Sequence, residues 1–62
     1  MKVRIKSFNG ELPSYLSSEK IYEIEGIDHE GRYFICTGQL EYAWVTLNNC
    51  THLNGGSWEI VE

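Results

Sequence analysis

The feature that most constrains this chain is a pair of six-residue runs rich in β-branched and aromatic side chains. Residues 32–37 read Arg-Tyr-Phe-Ile-Cys-Thr and residues 42–47 read Tyr-Ala-Trp-Val-Thr-Leu, with Gly38-Gln39-Leu40-Glu41 between them. Such composition favours strands, and a connection this short favours a hairpin. Setting Cys36 opposite Tyr42 fixes an antiparallel register in which Phe34 lies across from Trp44, Ile35 from Ala43 and Tyr33 from Val45. One face then carries Tyr33, Ile35, Ala43, Val45 and Leu47. The other carries Arg32, Phe34, Cys36, Tyr42, Trp44 and Thr46. A slip of one residue would bury Arg32, so the second face belongs to solvent. Phe34, Tyr42 and Trp44 are thereby predicted to form an outward aromatic cluster, and a contiguous exposed apolar patch is more informative than any lone exposed residue.

The rest of the chain supplies further strands and no helix. Residues 1–7 alternate strictly, with Met1, Val3 and Ile5 on one side and Lys2, Arg4 and Lys6 on the other, the period of a half-buried strand. Asn9-Gly10 marks a turn. The stretch from there to Glu19 holds Pro13 and three serines and has no 3.6-residue apolar spacing, so it reads as a long loop pinned by Leu12, Tyr15 and Leu16. Long ordered loops in small domains are often functional. Residues 20–25 form a second strand with Tyr22 and Ile24 inward and Glu23 and Glu25 outward, and Gly26 suits a bulge after it. Asp28-His29-Glu30-Gly31 makes the next connection. Residues 48–53 accommodate one 3₁₀ turn. Asn54-Gly55-Gly56 is a turn signal, and residues 57–62 are a last strand with Trp58 and Ile60 inward and Glu59 outward. The predicted core is Val3, Ile5, Tyr22, Ile24, Tyr33, Ile35, Val45, Leu47 and Ile60.

At 62 residues the chain forms one domain, residues 1–62. A chain of this size buries only ~60% of the surface its unfolded form exposes. Hydrophobic residues at 42% and charged residues at 23% exclude disorder as the default state. No apolar run approaches the roughly 20 residues that span a bilayer, and the charged N-terminus is unlike a signal peptide. Nine acidic against five basic residues, a net charge of −4, oppose binding to duplex nucleic acid. Cys36 and Cys50 read as reduced thiols of a cytoplasmic protein, with a single bridge between them as the rival. Asn49-Cys50-Thr51 fits the glycosylation triplet, a chance match without a secretory route.

The order of elements resembles an SH3-like barrel: a first strand, a long loop, two hairpin-linked strands after it, a short 3₁₀ turn and a closing strand. Residues 18–24 (Ser-Glu-Lys-Ile-Tyr-Glu-Ile) look like the segment that leads such domains from their first loop into the second strand, and residues 58–62 (Trp-Glu-Ile-Val-Glu) like their last strand. The fold expected is therefore all-β, a five-stranded SH3-like partly open barrel with a long first loop and a 3₁₀ turn before the last strand; an OB-like barrel is the alternative. Peptide-binding SH3 domains place a proline and a tyrosine in the 3₁₀ turn, where this chain has Cys50-Thr51-His52-Leu53, so a polyproline groove is not implied. The whole chain also looks like short acidic proteins encoded by tailed bacteriophages and prophages. That resemblance implies the cytoplasm of a bacterial host and a role in host interaction.

Cys50 and His52 would share a face of a strand, but a nucleophile–base pair also needs an orienting group and a cleft, and no catalytic residue is assigned. Two Cys and two His lack the spacing of a zinc site, so no metal or other cofactor is expected. Lys2, Arg4 and Lys6 are the candidates for a single-stranded nucleic-acid surface. Glu23, Glu25, Asp28 and Glu30 would be the nucleus of an acidic DNA mimic. The reading that absorbs most of the sequence is a non-catalytic protein-binding module. It would use Phe34, Tyr42 and Trp44, with Tyr15 from the long loop, to engage a bacterial host protein or a second copy of itself, without duplex nucleic acid or membrane.

Overall fold

A computed structural model describes residues 1–61. Five strands and one 3₁₀ turn follow in chain order: β1 (Lys2–Ser7), β2 (Ile21–Ile27), β3 (Tyr33–Gly38), β4 (Glu41–Val45), the 3₁₀ turn (Thr51–Leu53) and β5 (Ser57–Ile60). All neighbouring strands are antiparallel, in the spatial order β4-β3-β2-β1-β5. The chain is all-β, as expected, and among the described residues no helix is long and apolar enough to cross a membrane. The predicted closing strand includes Glu62, which lies outside the described residues.

The β3–β4 register is the expected one at all four positions, Tyr33↔Val45, Phe34↔Trp44, Ile35↔Ala43 and Cys36↔Tyr42. β4 ends at Val45, two residues earlier than anticipated. Past this point the chain bends back towards β5: the Trp58 N–H donates to the Leu47 carbonyl at 2.8 Å, and Cys50 and Gly56 form an isolated bridge. These bonds draw the two ends of the sheet together without joining β4 to β5, which makes the barrel partly open. The shift in the β2–β3 ladder falls between Ile24 and Gly26, where glycine allows the strand to bend. The Asp28–Gly31 connection is tied by Asp28, whose carboxylate accepts from the backbone N–H groups of Glu30 and Arg32, while Gly31 takes the positive φ of 82°.

The core contains Val3, Ile5, Leu16, Tyr22, Ile35, Val45, Cys50, Leu53 and Trp58, with Leu12, Ile24, Tyr33, Ala43 and Leu47 half-buried around it. Its two aromatic rings meet edge to face, Tyr22 and Trp58 at 5.7 Å between centroids. Each also satisfies its polar atom. The Tyr22 hydroxyl accepts from the Ser17 N–H at 2.7 Å, and the Trp58 Nε1–H donates to the Cys50 Sγ at 3.3 Å. Cys50 is thus a core residue rather than a turn thiol. Ile60 corrects the expectation that it points into the core: it is 45% exposed. It is the last residue of β5, and β5 is an edge strand, so only β1 covers one side of it. Gly56 is buried where β1 shifts register against β5; a Cβ there would stand 2.1 Å from the Ser7 carbonyl oxygen. No side chain fits, which is a packing requirement for glycine rather than a conformational one.

Candidate functional site

The aromatic cluster is built by cross-strand pairing on the outer face of the β3–β4 hairpin. Phe34 lies between its neighbours, stacked on Tyr42 with centroids 5.0 Å apart and tilted against Trp44 at 4.7 Å. The Arg32 guanidinium continues the row at 5.6 Å over the Trp44 ring, a cation–π distance. Asp28 and Glu30 hold that guanidinium from the other side, the Asp28 carboxylate at 2.6 Å. Phe34 is consequently half-buried, while Tyr42 and Trp44 remain 48% and 44% exposed. The rings both stabilise the hairpin and leave surface unused.

The long loop brings a third aromatic to the same place. At its start, Asn9 and Asn54 clasp each other: Asn9 Nδ2 donates to the Asn54 carbonyl at 3.1 Å, and Asn54 Nδ2 donates to the Asn9 carbonyl at 2.6 Å. Asn54 follows the 3₁₀ turn in the left-handed conformation that asparagine tolerates. Leu16 anchors the loop in the core, and Tyr15 beside it is left exposed, its hydroxyl hydrogen-bonded to His52 Nδ1 at 2.8 Å. A groove of about 540 Å³ opens between this crosspiece and β4, lined by Tyr15, Thr37, Glu41, Tyr42, Ala43, Trp44 and His52. On the other side of Tyr15 and His52 is a shallower polar hollow of about 360 Å³ that includes Glu11 and Asn54. β4 is the edge of the sheet and pairs with β3 alone among the described residues.

The structure therefore brings Tyr15, Tyr42 and Trp44 together and leaves Phe34 behind them as support. Glu41, His52 and Thr37 complete the groove and were not among the residues anticipated for it. Leu40, at the hairpin tip next to Glu41, is 85% exposed and has φ of 60°, a conformation costly for a residue with a Cβ.

Lys2, Arg4 and Lys6 lie exposed on one face of β1, as the alternation requires, and on the far side of the sheet order from β4. They are not a free basic strip. Arg4 forms an ion pair with Glu59 on β5, and Lys2 stands opposite Glu23 on β2. Three of the four acidic candidates are likewise engaged, Glu23 near the N-terminal amine at 3.5 Å and Asp28 and Glu30 with Arg32. Desolvation is the largest single influence on the Asp28 carboxyl and pushes it up, but the hydrogen bonds from Arg32 and Glu30 and the Arg32 charge together outweigh it, so its pKa is lowered. The same contact raises that of Arg32. Cys36 and Cys50 are free thiols in different settings: Cys36 Sγ donates to the Gly38 carbonyl at 3.1 Å, and Cys50 is buried beside Trp58. Cys50 faces the core and His52 faces the groove, so the two do not meet as a nucleophile and base. Among the described residues no group of three or more His, Cys, Asp or Glu converges as a metal site would.

No protein-family model matches this chain, and neither does any curated protein or solved structure.

Proposed function

We propose that this domain is a non-catalytic protein-binding module whose partner docks in the groove between β4 and the long loop. The observation that carries the reading is the convergence of Tyr15, Tyr42 and Trp44 on one concave surface, from parts of the chain that only the fold makes neighbours. Tyr and Trp at a concave, partly apolar surface offer large contact area for little lost side-chain entropy. The edge of β4 adds backbone groups that an extended segment can pair with. The resemblance to short acidic phage proteins supports a bacterial host protein as the target. Nucleic acid is the weaker reading, because the Lys2/Arg4/Lys6 face is interleaved with carboxylates that oppose phosphate. A DNA mimic is weaker still, since Asp28 and Glu23 are spent on internal partners.

The test is affinity capture from bacterial lysate with the whole chain and with Trp44→Ala, whose circular dichroism and cooperative melt establish that it is folded. One stoichiometric protein retained by the wild type and lost with the variant is the expected result. Identical captures by the two baits would overturn the reading. So would a dimer in sizing that dissociates on the same substitution, which would assign the groove to self-association.

A further inference from the structure

We infer that the groove takes a cationic side chain, arginine in preference to lysine, presented by an extended segment of the partner; this rests on the groove being the docking site. The charge around it is one-sided. Among the described residues Glu41 is the only acidic residue lining the groove and no lysine or arginine joins it, while the adjoining hollow again contains a carboxylate, Glu11, and no lysine or arginine. Four of the chain's own five basic residues are placed elsewhere, and the fifth, Arg32, borders the groove only through Trp44. Lys2, Arg4 and Lys6 are on β1, Lys20 lies 5.9 Å from the Tyr22 ring centroid, and Arg32 is held by Asp28 and Glu30. The general field of a chain with net charge −4 favours the same occupant.

The aromatic lining adds selectivity to that field. An arginine side chain packs its planar guanidinium on indole and phenol faces and still donates to a carboxylate. Trp44 already accepts such a group from within the chain, the Arg32 guanidinium 5.6 Å from its ring centroid. In the groove, Tyr42 and Trp44 would take the stem and plane of the incoming side chain, with Glu41 receiving its hydrogen bonds. Glu11 lies beyond the Tyr15–His52 crosspiece and suits a second cation further along the same segment.

The experiment is a titration of the ¹⁵N-labelled whole chain with the blocked peptide acetyl-Gly-Arg-Gly-Arg-Gly-amide and with its citrulline counterpart, which keeps the shape and removes the charge. The indole N–H of Trp44 reports the groove, and that of buried Trp58 reports the fold. Saturable shifts at Trp44 and Tyr42 are expected with the arginine peptide, weakening about tenfold with citrulline and about tenfold with Glu41→Gln. Equal affinity for the two peptides, no effect of Glu41→Gln, or no saturable shift at millimolar peptide would overturn the inference. A lysate partner that depends on Trp44 but survives Glu41→Gln would overturn it while leaving the docking site in place. Capture of no protein that depends on Trp44 would fail the broader reading instead.

Discussion

The molecule has two aromatic regions built from the same residue types and used in opposite ways. Inside, Tyr22 and Trp58 meet edge to face, each 3% exposed, with the hydroxyl bonded to Ser17 and the indole N–H to Cys50. Outside, Tyr42, Phe34, Trp44 and Arg32 form a row on one face of a hairpin, with nearly half of Tyr42 and Trp44 still open to solvent. The inner pair is shared between β2 and β5, strands that do not touch in the sheet, so it ties the barrel across its interior. The outer row joins β3 and β4, which their own ladder already holds. An aromatic side chain contributes most to stability where it connects elements that nothing else connects. Where the backbone has done the joining, its surface is available for other uses.

Substitutions in the two regions should differ accordingly. Trp58→Ala removes the inner pair and opens a cavity costing about 3–5 kcal/mol. A chain of this length has roughly 3–9 kcal/mol to lose, so chemical denaturation should find the variant barely folded or unfolded at 25 °C. Gly56→Ala tests the seam beside it. Since the new methyl would overlap the Ser7 carbonyl, β5 must move off β1 at a cost of about 2–3 kcal/mol. A midpoint unchanged from the wild type would show that the seam yields easily. Trp44→Ala in the outer row should cost about 1 kcal/mol or less, with unchanged cooperativity, while abolishing partner capture. A loss as large as that of Trp58→Ala would erase the distinction between the two regions.

The smallest effect concerns pH at the end of the outer row. Asp28 has a folded pKa below its ordinary value of 3.8, so its contribution is fully present above that value. The contribution is lost as pH falls through the lower folded value, when the carboxylate that fixes Arg32 is protonated. Thermal melts of the wild type and Asp28→Asn should therefore differ at neutral pH and converge in acid; a constant difference would assign the Asp28 effect to something other than its charge.

What could be read in the sequence was what depends on near neighbours. The two-residue period of residues 1–7, the pairing of 32–37 with 42–47, and the glycine at position 26 each announce local geometry; the register followed from setting Cys36 opposite Tyr42, and the outward face from keeping Arg32 out of the core. The inventory of strands and the 3₁₀ turn came through for the same reason. What was hidden depends on contacts between distant segments. Tyr15 could be named as a loop aromatic, but its place beside Trp44 is set by hydrogen bonds to His52 and by the Asn9–Asn54 clasp, which span 37 and 45 positions. Glu41 and His52 carried no local signal of a groove. Leu53 and Cys50 are buried because the turn after β4 folds back on the chain, the Asn9 N–H bonded to the Leu53 carbonyl, and Ile60 is exposed because it ends β5 two residues past the packed Trp58. None of these changes the alternation pattern that a strand displays.

The strand order has a further consequence, for the time course of folding. The β2–β3 and β3–β4 hairpins close over a handful of residues, but β1 sits between β2 and β5, and its ion pair from Arg4 to Glu59 spans 55 positions. The loop-closure entropy of nearly the whole chain is therefore committed before β5 gives any return. Refolding in a stopped-flow instrument should fall in the millisecond-to-second range of barrels with such non-local pairings. On the ribosome, β1 emerges before the other four strands and waits longest: until residues 57–60 are released, Val3 and Ile5 lie along an unpaired edge, and β5 is the strand that covers it.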